Sequence, residues 1–574
     1  VHPAFSQAIN THTEQSLGYP VPTPVNFTLP FNGFRTLDAI SMRMLDLSLG
    51  HPEARLVTIG TSFEGRPIQA LILSDADTTA PGGGPEAGIV INGTLHAREW
   101  GSPEITLQIA EYLLSNKIAD HMATYLLIAT EIVFIPVSNP DGFTQTQRFP
   151  AQYVTDSFLS FDGRERRKNM NNTVDGGAID AVLETFDDFD LGVDLNRNFS
   201  VGFGQGGSSG SPTSNNFRGP SALSEGETQA VTASIDTLST DTEVRLFYDV
   251  HGAIPAIFQA LQGEAPLDVV TQNLTSRMQQ VYRAINGVPN SYPTLGASPD
   301  GAADFYFGGT YNIPSYTIEY PTPNFRDGGS GPTFILPDDE LSEVVEENRE
   351  ALLFGAYSMT GPPILEEVKI WVYRTPLQPP GDATLMYHAG WVATSLSERE
   401  FVTTRSLPLE LNADYIISLQ FSKPMRRIDQ NSQIGFWPGI SFDQHPTAQL
   451  TLQADGGSDM TFEATPEGDG WQDTLGSNVT PGIRRARFDT WLGRFSIDVT
   501  GQAQQVTLSV AGVDAFGHGL DTDPATLARF NTGWTAYDPT PGSPGTLPAG
   551  GTDTNYQVQF GVFGAMEQDG LKLY

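Results

Sequence analysis

His96 and Glu99 stand three residues apart in INGTLHAREW, residues 91–100, where an apolar run breaks at Gly93. A His-x-x-Glu pair on one turn can share a metal ion. Imidazole and carboxylate suit zinc, which takes three protein ligands and keeps one position open where it does chemistry. On its own the pattern is common, and it reads equally as a histidine and a surface glutamate at a helix start. A third ligand must come from elsewhere in the chain. Of the nine histidines, His2 and His12 belong to a polar N-terminal arm and His121 lies in the helix-like IADHMATYLL. His251 differs, because it directly follows the apolar LFYDV and precedes Gly252. His96 and His251 both stand where a buried strand ends, the place where α/β folds gather their ligands. Together with Glu99 they make a set of two imidazoles and one carboxylate.

Other groups share this setting. Glu319 sits inside the apolar PSYTIEYPTP, where a carboxylate without a partner is costly; half of a structural ion pair is one role open to it. VDLNRNF carries Asp194, Asn196 and Arg197, and GRERRKNMNN carries Arg164, Arg166 and Arg167 in a charged stretch that also reads as a solvated loop.

The elements that would position these residues alternate. FRTLDAISMRMLDLSLGHP has helical spacing, IQALILS and AGIVING are strand runs, and SPEITLQIAEYLLS starts a helix at Ser-Pro. EIVFIPVSNPDG, VRLFYDVHG and PSYTIEYPTP read as further strands, and DDELSEVVEENREALLFGAYSM closes the region with a helix. Such alternation predicts an α/β domain with a largely buried sheet. Beyond TGPPILEE the texture changes to short alternating runs such as VKIWVYR, YIISLQFS and VTLSVAG, which predict an all-β, sandwich-like region. LQFSKPM and GVDAFGHGLDTDPAT resemble bacterial immunoglobulin-like modules appended to secreted proteins, and DPTPGSPGTLPAGGTD reads as linker. The expected organisation is an N-terminal arm over 1–33, a catalytic domain over 34–361 and a β-rich, immunoglobulin-like region over 365–574.

Composition narrows the function classes. With 574 residues the chain exceeds one hydrophobic core, and its longest apolar runs fall short of the roughly 20 residues a membrane helix needs. Sixty-seven acidic residues against 31 basic give a net charge of -36, which argues against a nucleic-acid partner. Only five of the basic residues are lysines; an acid-rich, lysine-poor surface fits either a chain working in high salt or an acidic secreted protein. There is no cysteine, hence no disulfide and no thiolate ligand. The opening VHPAF has no apolar targeting core, which fits a mature chain whose targeting segment has been removed or simply a trimmed sequence; the expected location is secreted or extracytoplasmic.

HAREW, NPDGF, VDLNRNF, VHGA and TIEY occur in the order used by the zinc metallocarboxypeptidases of the carboxypeptidase A type. The chain resembles that family over about residues 34–360, IGTSFEGRPI included. The resemblance implies a mixed, predominantly eight-stranded sheet with helices on both faces. It also implies one zinc ion per chain and hydrolysis of the C-terminal bond of peptides or proteins. His96, Glu99 and His251 become the ligands, and Asp194 the carboxylate that orients the first histidine. Glu319 becomes the general base that takes a proton from a zinc-bound water and returns it to the leaving amine. Asn196 and Arg197 match the pair that grips the substrate's free carboxylate, a task a planar guanidinium suits. Arg167 matches the arginine that stabilises the oxyanion, with Arg164 and Arg166 as alternatives, and Arg98 contacts substrate further upstream. Tyr292 is the candidate for a mobile-loop tyrosine that closes over the substrate, with Tyr306 and Tyr311 as rivals. Ala303 falls at the base of the specificity pocket, which would then be neutral and favour apolar or aromatic C-termini. A gap placed differently brings Asp300 there and favours Lys or Arg.

Two other functions compete with the exopeptidase. One is an amidase or deacylase on the same scaffold, acting on cell-wall peptides or N-acyl amino acids. The other is a non-catalytic binding or adhesion protein whose β-region does the work. Oligomeric state is not legible.

Overall fold

The structure is a computed structural model. It describes residues 34–147 less 76 and 81–83, 166–171, 173, 192–260, 265–321 less 289–290 and 297–298, 334 and 338–359. In the C-terminal part it describes 365–373, 384–393, 399–406, 409–410, 413–421, 445–454, 459–472, 490–497, 503–511 and 556–563. The N-terminal arm, Arg164 and the 538–553 linker lie outside the described residues. So does GVDAFGHGLDTDPAT.

The chain divides into two units. Residues 1–78, 85–117 and 126–359 form one, and residues 79–84, 118–125 and 360–574 the other. Along the first part run α1 (Leu37–Gly50), β1 (Ala54–Thr61), β2 (Pro67–Leu73), the two-residue strands β3 (Thr79–Ala80) and β4 (Gly84–Pro85), and β5 (Ala87–Gly93). Then come α2 (Gly101–Asn116), α3 (His121–Ala129), β6 (Thr130–Ile135), α4 (Pro140–Thr146), α5 (Gly226–Ala233), β7 (Glu243–Ala253) and β8 (Ala256–Gln259). Finally come α6 (Ala265–Asn286), α7 (Ala303–Tyr311), β9 (Ser315–Pro321) and α8 (Asp338–Ser358).

Seven strands form the main sheet in the order β1-β2-β6-β5-β7-β9-β8. Its centre is parallel, from β6 through β5 and β7 to β9, and its flanks are antiparallel. β5 (AGIVING) and β6 (TEIVFI) are buried at every position, as expected of parallel strands covered on both faces. One face carries Ile68, Ala70, Val90, Val133 and Phe247 into a core shared with α5 and α7. Toward the other points Tyr248, whose hydroxyl donates to Met278 Sδ on α6. Among the described residues the sheet has seven strands where the family likeness implies eight. Before Glu319 the chain turns helical at Ala303, with Ala302 as the extended residue that precedes α7.

The C-terminal unit is built from strands alone among its described residues after 365. They are β10 (Leu365–Tyr373), β11 (Thr384–Ala393), β12 (Arg399–Ser406), β13 (Leu409–Glu410), β14 (Ala413–Phe421), β15 (Thr447–Ala454), β16 (Met460–Glu463), β17 (Thr465–Gln472), β18 (Thr490–Ile497), β19 (Ala503–Ala511) and β20 (Tyr556–Phe563). A six-stranded sheet runs β12-β11-β10-β14-β18-β17 and a five-stranded one β13-β20-β19-β15-β16. Val368, Ile370, Ile417 and Trp491 of the first sheet share one buried cluster with Leu450, Leu452, Leu508 and Val510 of the second. That shared core is the two-layer packing of a sandwich.

Candidate active site

β5, β7 and β9 end side by side, and each delivers one part of the site. β5 stops at Gly93, where an added Cβ would lie 2.9 Å from both the Pro136 carbonyl and Thr106 Oγ1. Thr94 then adopts a left-handed φ of 59°, a strained conformation for a β-branched residue. Two hydrogen bonds hold it there: its N–H donates to Ser102 Oγ at 2.9 Å and its hydroxyl to the Pro136 carbonyl at 2.8 Å. Next, the Ala97 N–H donates to the Arg167 carbonyl at 3.1 Å, tying the histidine turn to the arginine segment. Glycine is also needed at 101 and 252, where a Cβ would meet the Tyr320 ring at 2.7 and 2.2 Å. The Gly101 N–H donates to the Tyr320 hydroxyl at 3.0 Å, which pins β9 to the start of α2.

The three expected ligands converge. His96 Nδ1 and His251 Nδ1 are 2.9 Å apart, and the Glu99 oxygens lie 2.8 Å from each. All three residues are buried. The outer nitrogens are engaged: His96 Nε2 lies 3.2 Å from Asp194 Oδ1 and His251 Nε2 lies 2.8 Å from Asp249 Oδ2. An outer N–H donated to a carboxylate fixes the tautomer whose Nδ1 lone pair faces inward. Two such lone pairs and a carboxylate aimed at one point suit a cation, and nitrogen with oxygen is a zinc-compatible donor set. The residues present therefore fit the metal that the sequence implies.

The surrounding charges set the state of each group. Burial opposes ionisation of Glu99, but His96 and His251 outweigh it and hold its carboxyl well below the usual range. Burial also works against the Asp194 carboxylate, which Arg167 and Arg197 nevertheless keep ionised. Glu319 goes the other way. It keeps part of its surface open, yet desolvation, with the Glu99 charge second, pushes it up to about 7. It stands beside the ligands because His251 on β7 and Glu319 on β9 are register partners.

Arg167 Nε donates to Asp194 Oδ2 at 2.9 Å, and its Nη1 lies 3.2 Å from His96 Nδ1. Arg166 instead donates from Nη2 to the Asn169 carbonyl at 2.7 Å. Asn169 anchors this segment, accepting from the Val193 N–H at 2.8 Å and donating to Glu225 at 2.8 Å. Asn196 and Arg197 lie in the 3₁₀ turn Leu195–Arg197, capped by Asp194 through the Asn196 N–H. Asn196 Nδ2 lies 3.3 Å from His251 Nε2. Arg197 is fixed by the Gly207 and Asn196 carbonyls at 2.9 and 2.6 Å, within electrostatic reach of Asp194, Arg167, Asp304 and Glu319. The Arg98 guanidinium stacks 3.5 Å from the centroid of the Phe334 ring.

Two expected positions are corrected. Tyr292 is wholly buried, stacks on Tyr282 with centroids 3.6 Å apart, and donates its hydroxyl to Glu347 at 2.9 Å. A ring held on both its face and its hydroxyl is a core residue rather than a mobile cap. Its rivals Tyr306 and Tyr311 pack against the core on α7. Ala303 has no exposed surface, so it lines no accessible pocket; its N–H donates to Asn196 Oδ1 at 2.8 Å and its methyl belongs to the core. Asp300 lies against the glycine-rich loop, with its carboxylate where a Cβ at Gly202 or Gly206 would be 2.9 Å away.

The sequence reading missed Asp249 and Asn92. Asn92 Nδ2 donates to Asp249 Oδ1 at 2.7 Å while Asp249 Oδ2 faces His251. Strand alternation was the available signal, because residues two apart on YDVHGA share a face.

Comparisons with known proteins agree on the family. The zinc carboxypeptidase family model matches residues 41–351, more than half of the 574-residue chain. Carboxypeptidase A2 of Rattus norvegicus is 29% identical over 222 residues, which is 38% of this chain and 45% of the relative. A metallocarboxypeptidase A-like protein of Trichophyton verrucosum is 31% identical over 319 residues, which is 53% of this chain and 65% of the relative. The chain thus spans less than two thirds of the length of either. The crystal structure of carboxypeptidase A from Helicoverpa armigera aligns with a TM-score of 0.45 at 24% identity, covering 57% of this chain and 73% of that one. From the family match and the ordered motifs around its buried ligands, the chain belongs to the zinc carboxypeptidase family.

Proposed function

We propose that the chain is a zinc-dependent exopeptidase that releases the C-terminal residue of peptides or proteins. The observation that carries this reading is the convergence of two inward Nδ1 atoms and Glu99 beside Glu319, one strand away. His96, Glu99 and His251 would hold one zinc ion. When bound, the ion supplies Lewis acidity that polarises the scissile carbonyl and makes water acidic. Glu319, with its carboxyl pushed up to about 7, is suited to accept a proton from the attacking water near neutral pH and pass it to the departing amine. Water's oxygen bonds to the carbonyl carbon as the C–N bond breaks. Arg167 would meet the negative charge that develops on the carbonyl oxygen. Asn196 and Arg197 would hold the terminal carboxylate, and Arg98 a residue upstream. The 34–361 and 365–574 division belongs to the same reading. An extracytoplasmic site of action rests on the likeness of the C-terminal sequence to modules appended to secreted proteins.

Mass spectrometry of a peptide library, offered with free and with amidated C-termini, tests this. Loss of single C-terminal residues from free peptides is expected, with hydrolysis largely abolished by amidation because the guanidinium loses its carboxylate partner. Equal rates on both forms would replace the exopeptidase with an endopeptidase or amidase. No turnover of any peptide by the zinc-loaded chain would overturn the exopeptidase and leave the deacylase and binding-protein readings.

A further inference from the structure

A second group of carboxylates lies at the other end of β5. The connection from β2 to β5 contains SDADTTAPGGGPE, residues 74–86, with acids at 75, 77 and 86. Asp75, Asp77 and Glu86 each bring one carboxylate oxygen to within 4.8 Å of the others. Glu86 is the unusual member. The residue is 1% exposed; its Oε2 accepts from Ser74 Oγ at 2.8 Å, but its Oε1 is buried with no hydrogen-bond partner among the described residues. Leaving a carboxylate oxygen buried and unmet is costly.

We propose that Asp75, Asp77 and Glu86 bind a hard divalent cation, with calcium the best fit. All the donors are carboxylate oxygens, with no imidazole to favour zinc. Oxygens bound to one calcium at about 2.3–2.6 Å can be no more than about 5 Å apart, and the observed spacing meets that limit. Magnesium demands a tighter octahedron and sheds its water reluctantly. Entry is open, since Asp77 is exposed and Asp75 half-buried, so a cation could keep several waters on that side. The backbone already shapes the turn: the Asp77 N–H donates to Asp75 Oδ1 at 3.0 Å.

The local field points the same way. Burial, reinforced by the charges of Asp75, Glu131 and Asp77, pushes Glu86 up to about 8; burial, with Asp77 and Glu53 adding to it, pushes Asp75 up to about 6. The neighbouring acids are committed elsewhere. Glu131 accepts from the Ser239 N–H and hydroxyl at 2.7 and 2.8 Å, and Glu53 pairs with Lys117 at 2.8 and 2.9 Å. A cation bound by this carboxylate would offset the cost of its buried, unpartnered oxygen and the repulsion among the three acids together.

The test is calorimetric titration of calcium into zinc-loaded, calcium-depleted full-length protein, at about 0.15 M NaCl to screen diffuse charge. One saturable site is expected, with Kd about 10⁻⁵ to 10⁻³ M and weaker binding of magnesium. Asp77→Asn and Glu86→Gln should each weaken calcium binding by about tenfold or more, since each removes a charged ligand. The first change is at an exposed position and the second is isosteric, so both variants should fold. Absence of saturable binding in the wild type, or unchanged affinity in either variant, overturns the site. The readout is calcium binding rather than turnover, so it fails or succeeds separately from the exopeptidase reading.

Discussion

β5 has a buried acid close to each of its ends, and the two are held in opposite states. Glu99, past the C-terminal end, faces two imidazoles and lies far below the ordinary carboxylate range despite complete burial. Glu86, just before the N-terminal end, faces Asp75 and Asp77 and is pushed up to about 8. Desolvation acts in the same direction on both. The sign of the neighbouring charges decides the outcome, so depth alone says little about whether a buried acid is ionised.

The largest effect that would sharpen this contrast comes from Glu319, the acid beside the imidazole pair that burial and Glu99 hold near 7. Glu319→Gln should retain zinc, measured by metal analysis, and lose about 10²- to 10⁴-fold in kcat, because an amide accepts no proton. Retention of wild-type turnover would remove Glu319 as the base.

A smaller effect is expected behind the ligands. Asp249→Asn keeps the shape at His251 Nε2 but removes the charge that Asn92 and His251 share. Zinc affinity, measured by competition with a chromophoric chelator, should fall about 10- to 100-fold. An unchanged affinity would mean that strand geometry alone orients His251.

The smallest effect belongs to the other end of β5. The Glu86 carboxyl is pushed up to about 8 in the folded chain, well above the ordinary glutamate value of about 4.3. The folded chain therefore holds an extra proton between those limits, and stability should fall as pH rises through that window. Asp75, Glu104 and Glu227 are also raised, to about 6, 7 and 7, so the wild-type slope is a sum. Comparison with Glu86→Gln in calcium-free buffer isolates one member. The variant should melt a few degrees higher at pH about 8 and match the wild type near pH 4. A constant difference across that range would show that Glu86 is not the titrating group.

Much of the site was legible because its residues lie at strand ends within short motifs. His96 and Glu99 share one turn, His251 closes an apolar strand, and Glu319 interrupts another. What misled was the segment before Glu319. The family likeness points to Tyr292 as a mobile-loop tyrosine, yet its ring stacks on Tyr282 of the preceding α6 and its hydroxyl meets Glu347 on α8, which arrives from distant sequence. Ala303 likewise belongs to a helix that packs on β7 and β9.

From residue order alone came the α/β alternation, the later change to β texture, and the identity of two imidazoles and a carboxylate able to hold zinc, because period and residue type are local properties. Tertiary structure decided which nitrogen of each imidazole faces inward, that Asp249 rather than a solvent molecule supports His251, and that Asp75, Asp77 and Glu86 meet at all. Those outcomes depend on strand register and on the directions of side chains brought together across the fold, which no single segment contains.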